Sequence, residues 1–381
     1  MKALILGCGR IGSVAAQDFA ENISAEVVVA DKSQERAKNV VEKIGRKNVS
    51  WIQLDATNQD QLITTIKRFS IVIGFLPATL GYSLAEACIS AGKNLVDVSY
   101  MLENPLTLND KAVKAGITVI PDCGLAPGIS NILVGHAAEA LDKVRTVHIM
   151  VGGFPQKPIK PLGYAITWSP ESLIDEYTRK ARIIKGGKVV KVEALSGIEK
   201  IDFPGVGKIE AFYTDGLRNL IDTLGSVEEM WEKTLRYPGH AEKVKLLKDL
   251  GFFDEKEVDV EGVKVSPRKL TVKLFEHRLL KPKVKDVVAL NVEVSGIKNG
   301  KRMLYSYRLL DHYDEKTGFT AMARTTAYPA SIIAQLILKN AVKEKGVVPP
   351  EKIGMNKAFF KLFLEELERR GVKITEEKIV S

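Results

Sequence analysis

The sequence predicts an α/β protein: a doubly wound parallel sheet with an inserted α+β domain built on a mainly antiparallel sheet. Three observations carry that reading. Over the first 120 residues, β-branched and almost continuously apolar runs alternate with helix-length amphipathic stretches, as strands covered on both faces do. From about residue 144 the apolar residues alternate in period two, the mark of a sheet with one wet face. A glycine-rich turn, Gly7-Cys8-Gly9-Arg10-Ile11-Gly12, joins the first strand to the first helix.

Strands are expected at 3–7, 26–30, 49–54, 71–76, 94–98 and 117–121. Their spacing of about 20–25 residues suits successive β-α units. Beyond them, ISNILVGHAAEAL around His136 reads as an apolar helix. Period-two strands follow at 146–153, 188–195, 209–214, 269–276, 287–296, 303–314 and 319–324, with helices at 170–180 and 226–236. A long helix over 325–346 is expected to pack back on the first domain. This places a Rossmann-type domain at 1–125, completed by 325–381, and a second domain at 126–324.

Composition narrows the class. A chain of 381 residues, 45% apolar and 27% charged, exceeds one ordinary core and implies two globular domains. The net charge of +9 is spread, with Lys and Arg interleaved with Glu as in ELERRGVKITEEK. A nucleic-acid binder clusters its basic residues, so no nucleic-acid partner is expected. No apolar run approaches the roughly 20 residues that cross a bilayer, so no membrane partner is expected either. The opening MKALILGCG reads into a strand rather than a signal peptide. Cys8, Cys88 and Cys123 are few and odd in number, which argues against a disulfide framework or metal site and for a reducing cytoplasm.

The glycine turn has a chemical reason. Gly7 makes the tight turn, Gly9 lets backbone approach a pyrophosphate, and Gly12 lets helix and strand pack closely. The helix N-terminus beyond it, with Arg10 and Ile11, offers free N–H groups and a positive dipole to phosphate. Asp31 ends the second strand about 20 residues on, where a carboxylate binds ribose hydroxyls and repels a 2′-phosphate. The expected cofactor is therefore NAD, with Lys32 leaving room for NADP. Ligands gather at strand C-termini in such sheets. That adds Asp55 and Ala56 after the third strand, where Asp55 is either an adenine contact or a helix cap. It also adds Leu76 and Pro77 after the fourth strand, Asp97 and Tyr100 after the fifth, and Cys123 and Gly124 after the sixth.

Three segments, Asp97-Val98-Ser99-Tyr100, PDCGLAPGISN over 121–131 and TLRYPGH over 234–240, make nearly the whole chain resemble the saccharopine dehydrogenase family. The resemblance is closest to its lysine 6-dehydrogenase branch. The glutamate-forming branch usually has an acid in GLDPG, where this chain has Ala126, and an aromatic where it has His240. The resemblance implies a two-domain dehydrogenase acting on the C6–N bond of lysine or a lysine conjugate, at least dimeric, with a small amino acid as substrate. A non-catalytic NAD-binding sensor is the competing class, but no appended DNA-binding segment is evident.

Amine oxidation needs a base that titrates near neutrality. His240, in a Pro-Gly turn, is the first candidate; Tyr100 and Asp122 are the others. His136, His148 and His312 read as structural. Arg236 is the natural anchor for a substrate carboxylate, through its planar fork of donors, and the resemblance carries the same role onto it. Arg218 is a second anchor, Asp215 or Thr214 is a candidate for the α-ammonium, and Tyr213 is a further substrate-binding candidate. Cys123 reads as packing, because hydride transfer needs no nucleophile.

Overall fold

The computed structural model describes residues 1–281 and 284–380. Two compact units emerge: Met1–Glu139 with Ala323–Lys373, and Ala140–Met322 with the strand Ile374–Val380.

The first unit begins β1 (Lys2–Leu6), α1 (Arg10–Asn22), β2 (Glu26–Asp31), α2 (Gln34–Ile44), β3 (Val49–Gln53) and α3 (Gln59–Ile66). It continues β4 (Ile71–Gly74), α4 (Ala78–Ala91), β5 (Asn94–Asp97), a 3-10 turn at Pro105–Leu108, α5 (Asn109–Lys114), β6 (Thr118–Ile120) and α6 (Ile129–Ala140). The second unit holds β7 (Lys143–Pro155), α7 (Pro170–Thr178), β8 (Ala181–Lys185), β9 (Lys188–Val192), β10 (Glu199–Phe203), β11 (Gly207–Tyr213) and α8 (Leu220–Thr223). After these come β12 (Glu229–Arg236), α9 (His240–Asp249), β13 (Val258–Val260), β14 (Val263–Val265), α10 (Pro267–Leu279), β15 (Asp286–Lys298) and β16 (Lys301–His312). The chain then returns to the first unit with α11 (Ala321–Leu338), β17 (Gly346–Val347), α12 (Pro350–Met355) and α13 (Lys357–Arg369). It ends in the second with β18 (Ile374–Val380).

The first sheet runs β17-β6-β5-β4-β1-β2-β3, all parallel. Its central strands carry Leu4, Ile5, Val27, Val29, Val72 and Ile73, all buried, which is why the sequence shows continuous apolar runs there. The order reverses at β1 and β4, the switch point where such sheets take ligands. All six expected strands form. The seventh, β17, is a two-residue piece from the C-terminal segment, too short to announce itself by pattern.

The second sheet runs β10-β11-β12-β7-β15-β16-β18, with β8 on β12 and β9 on β8. Every pair is antiparallel except β12 with β7. Three expectations fail here. Residues 226–236 form no helix; from Glu229 to Arg236 they are β12, because that strand is caught between β11 and β7 and buries most of its length. Residues 269–276 form part of helix α10, not a strand. Ser266 caps it by accepting from Lys269 N, Pro267 opens it, and Val272, Phe275 and Leu279 share its buried face. Residues 319–324 do not form a strand, since α11 starts at Ala321, with the Asp286 carboxylate accepting from Ala321 N (2.7 Å) and Met322 N (2.9 Å).

Unit boundaries also differ from the expected ones. The apolar helix α6 belongs with the first unit, so the division falls after Glu139 rather than 125. The tail does not wholly rejoin the first unit. β18 pairs with β16 from Leu309↔Ile374 to Met303↔Val380, and Tyr307 donates to Glu376 (3.0 Å). The long helix ends at Leu338, and no helix among the described residues is long and apolar enough to cross a membrane.

Candidate functional site

In the first unit the glycine turn shows a division of labour. Gly7 has φ +98°, and a Cβ there would sit 2.5 Å from the Phe75 carbonyl oxygen. A Cβ on Gly12 would run into the Gly7 carbonyl oxygen. Both glycines are therefore demanded by the fold. Gly9 is different: a Cβ there meets no protein atom within 4 Å. It is exposed, as is Arg10, and as the N-cap residue of α1 it offers no side-chain acceptor to the helix's first N–H groups. An open, uncapped helix N-terminus beside a glycine that the protein itself does not require fits a dinucleotide pyrophosphate.

Asp31 sits beside that turn, pinned by two backbone donors: Cys8 N to Oδ2 and Ser33 N to Oδ1, both 2.9 Å. The exposed guanidinium of Arg36 lies 3.9 Å from the same carboxylate. An acid suited to ribose hydroxyls thus has a cation beside it. Asp55 is exposed and accepts from Thr57 N (2.9 Å) and Oγ1 (2.8 Å), while Asn58 caps α3. Ala56 is buried, Leu76 is half-buried, and Pro77 is exposed at the start of α4.

At the ends of β5 and β6 lie two buried carboxylates, Asp97 and Asp122. Asp97 Oδ2 accepts from Ser99 N (3.0 Å) and, through a short contact, from Ser99 Oγ; its Oδ1 has no partner among the described residues. Burial pushes the Asp97 carboxyl up to about 7, with the Asp122 charge adding to it against the Ser99 bonds. Asp122 is held at φ +53°. Cys123 donates its backbone N–H to Asp97 O (2.9 Å), and its fully buried thiol is pushed well up by burial and by both aspartates. That thiol stays neutral and serves as packing. Tyr100, three residues beyond Asp97, is half-buried. Gly124 donates to Pro127 O (3.0 Å), and Gly128 at φ +136° lies so close to Gly124 that no side chain fits.

The second unit builds a polar cluster on one face of β11 and β12. The pairings Glu210↔Arg236 and Phe212↔Thr234 put alternate residues of both strands on that face. Arg236, 3% exposed, reaches Glu176 Oε2 (3.2 Å) from Nη2 and donates to Leu235 O (2.8 Å) from Nη1. Its guanidinium lies 4.6 Å from the Tyr164 ring centroid, and Nε has no partner among the described residues. Thr234 Oγ1 donates to Glu176 (2.6 Å), and Thr214 Oγ1 links Thr234 (2.8 Å) to Glu232 (2.7 Å). Burial, reinforced by Glu176 and Asp215, pushes the Glu232 carboxyl up to about 8 against the bond from Thr214. Asp215 accepts from Arg182 N (3.3 Å), and Arg182 Nη2 donates to Arg218 O (3.4 Å). Tyr213 points away from Thr214, under Lys233, whose Nζ is 4.7 Å from its ring centroid.

Of the expected residues, Thr214, Asp215, Arg218 and Arg236 are therefore gathered in one region, and Tyr213 faces the opposite side of the strand. Glu176, Glu232 and Thr234 went unnoticed in the sequence. The last two lie in the segment misread as a helix, where their period-two spacing was the available signal.

His240 is not the exposed base expected from its turn. It is 1% exposed at the start of α9, with Nδ1 3.0 Å from Leu162 O and Nε2 2.8 Å from Tyr177 Oη. Burial, with the charge of Arg236, pulls the imidazole down to about 3. Both nitrogens are spent, and neither is left to take a substrate proton. His136 stacks on Phe360 and His148 on Trp231.

Comparison with known proteins places these features. The chain matches the saccharopine dehydrogenase NADP binding domain over residues 3–120 and the saccharopine dehydrogenase C-terminal domain over 124–372. It is 24% identical to the saccharopine dehydrogenase [NADP(+), L-glutamate-forming] of Saccharomyces cerevisiae, over 99% of each chain. It is also 24% identical to the α-aminoadipic semialdehyde synthase of Bos taurus across its whole length, but spans only 48% of that protein. The carboxyaminopropylagmatine dehydrogenase of Synechocystis is 22% identical over 92% of each. The apo saccharopine dehydrogenase structure from S. cerevisiae superposes with a TM-score of 0.81, at 21% identity and 99% coverage of each chain. With both domains matched in order along nearly its whole length, the chain belongs to the saccharopine dehydrogenase family.

Proposed function

We propose that this protein oxidises a carbon–nitrogen bond with NAD, and that its reaction is oxidative deamination of the ε-amino group of L-lysine. The product is the 6-semialdehyde, which closes to piperideine-6-carboxylate. The observation that carries the reading is the Arg236 cluster: one buried guanidinium paired with Glu176, its Nε without a partner among the described residues, with Thr234 and Thr214 linking Glu176 to the buried acid Glu232. A carboxylate receptor beside acids suits the zwitterionic end of an amino acid and has no use for a simple alcohol or alkylamine. The cofactor reading rests on Gly9 and Asp31, the one open to pyrophosphate and the other placed for ribose hydroxyls.

The dinucleotide, when bound, supplies the acceptor for the hydrogen and electron pair leaving C6. The chain's own residues do the rest. Arg236 holds the α-carboxylate, with Arg218 behind it, and Thr214 and Asp215 bear on the α-ammonium. The ε-ammonium must shed a proton before its lone pair can assist, and that calls for a base with a pKa near neutrality. Both His240 nitrogens are engaged; within the first unit, Asp97 is the carboxyl raised to about 7 by burial, with Tyr100 and Asp122 as further candidates for proton transfer.

A second reading is oxidation of saccharopine, with NADP as cofactor. It is favoured by the end-to-end match to the glutamate-forming fungal enzymes and by Arg36 beside Asp31. Reduced-cofactor absorbance at pH 9–10 with L-lysine, saccharopine and simple diamines, each with NAD and NADP, separates the readings. Turnover of L-lysine with NAD supports the first, and turnover of saccharopine alone overturns it. Cofactor binding with no turnover of any amine would instead indicate a sensor.

A further inference from the structure

Glu176 carries no signal in the sequence, and its place in the Arg236 cluster gives it a task of its own. It lies on α7, which Pro170 opens and Ser169 caps by accepting from Ser172 N. Leu173, Ile174 and Tyr177 bury the inner face of that helix. Glu176 stands one turn on from Ser172 and Leu173, at the margin of the buried face.

Two residues of β12 fix its carboxylate. Thr234 Oγ1 donates to Oε1 (2.6 Å), and Arg236 Nη2 donates to Oε2 (3.2 Å). Among the described residues Oε2 accepts from no other group, and a carboxylate oxygen has two lone pairs to offer. Exposure then separates this acid from its neighbours. The Glu176 side chain is 14% exposed, against 4% for that of Arg236. Thr214, Asp215, Glu232 and Thr234 are each 4% exposed or less. The Tyr164 ring lies over the guanidinium, its centroid 4.6 Å away. A ligand reaching this cluster therefore meets the carboxylate of Glu176. An anchored carboxylate with a spare lone pair suits a cation that brings its own N–H donors. Glu176 and Arg236 also set opposite charges one hydrogen bond apart, the complement of an ammonium beside a carboxylate.

With this cluster read as the seat of an amino acid's zwitterionic end, on which the inference rests, we infer that Glu176 receives the substrate's α-ammonium. Thr234 and Arg236 hold its carboxylate in place for that contact.

The test compares L-lysine with 6-aminohexanoate, which keeps the reacting amine and the carboxylate but has no α-ammonium. Glu176→Gln keeps acceptors and removes the charge. It is expected to raise KM for L-lysine about tenfold and that for 6-aminohexanoate by no more than about twofold. Glu176→Asp keeps the charge on a shorter arm and should lie between wild type and Gln. It stands in if the Gln variant fails to fold. Equal losses on both substrates, or an Asp variant weaker than Gln, would overturn the inference.

A second readout needs no turnover. L-Norleucine carries the α-ammonium and carboxylate, and hexanoate the carboxylate alone. Calorimetric titration of the NADH complex should show wild type preferring norleucine and Glu176→Gln losing that preference; a preference that survives in the variant overturns the inference. The two levels fail differently. A wild-type protein that turns over neither L-lysine nor saccharopine overturns the amino-acid reading, and the inference with it. One that turns over either, with its KM unchanged in Glu176→Gln, overturns the inference alone.

Discussion

Single residues decide the cofactor loop, and they do so for two different reasons. Gly12→Ala forces a Cβ into the Gly7 carbonyl, so it should lower Tm as well as cofactor affinity. Gly9→Ala meets no protein atom, so Tm should hold while NADH affinity, read by fluorescence titration, falls about tenfold or more. A Gly9→Ala protein that binds NADH normally would remove the loop from the site. Asp31→Ala should weaken NAD more than NADP, because the ribose acceptor goes while Arg36 stays; the reverse order would overturn the NAD preference. Buried titratable groups make stability depend on pH with opposite signs. Glu232 binds its proton more tightly folded than unfolded, so stability is lost as pH rises from about 4.5 to about 8. His240 binds its proton less tightly when folded, so stability is lost as pH falls from 6.5 toward about 3. Glu232→Gln should therefore flatten the alkaline decline in denaturant-derived stability, and His240→Phe the acid one. Each contributes at most about 1.4 kcal/mol per pH unit within its window.

At the level of elements, local pattern and tertiary setting disagree in instructive places. SVEEMWEKTLR has helix-forming residues and a Ser-x-x-Glu start, yet it is a strand. Hydrogen bonding to β11 on one side and β7 on the other, together with burial, outweighs a propensity difference of a few tenths of a kcal/mol per residue. KLTVKLFE alternates like a strand but is a helix, because Ser266 and Pro267 start one and its apolar residues also satisfy a helical repeat. Neither outcome is decided by the eight or so residues concerned. One cap illustrates how a distant strand holds a helix in place. The buried carboxylate of Glu210 on β11 accepts from Gly239 N (2.8 Å) and Ala241 N (2.6 Å) at the start of α9. Glu210→Ala leaves both donors unpaired and should cost about 1–3 kcal/mol, seen as a lower Tm. It should also disturb His240, the residue between those two donors. A variant with unchanged Tm would show that the cap is dispensable.

Across the molecule, the first unit is closed by contacts between the two ends of the sequence. Asp18 on α1 accepts from Arg370 Nε (2.6 Å) and from Ser331 Oγ on α11 (2.6 Å), with the side chains of all three nearly inaccessible. Asp18→Ala leaves Arg370 with Glu366 as its remaining carboxylate partner and Ser331 without its acceptor, and should cost about 1–3 kcal/mol in guanidinium unfolding. Adding Arg370→Met should recover much of it, since an apolar pair needs no desolvation. Additive losses would contradict that account. The sequence by itself determined the parallel sheet, the glycine turn and Asp31. Their signals are local: continuous apolar runs, a glycine where only glycine turns, an acid at the end of the adjoining strand. It also named Arg236 and His240 as residues of consequence. What only the tertiary structure decided is what each can do. A histidine in a Pro-Gly turn looks exposed and basic until Leu162, Tyr177 and Arg236, 78, 63 and 4 residues away in sequence, are packed around it. Burial and partner geometry set its charge state and proton position, and both arise from contacts between residues far apart in the chain, which no local pattern encodes.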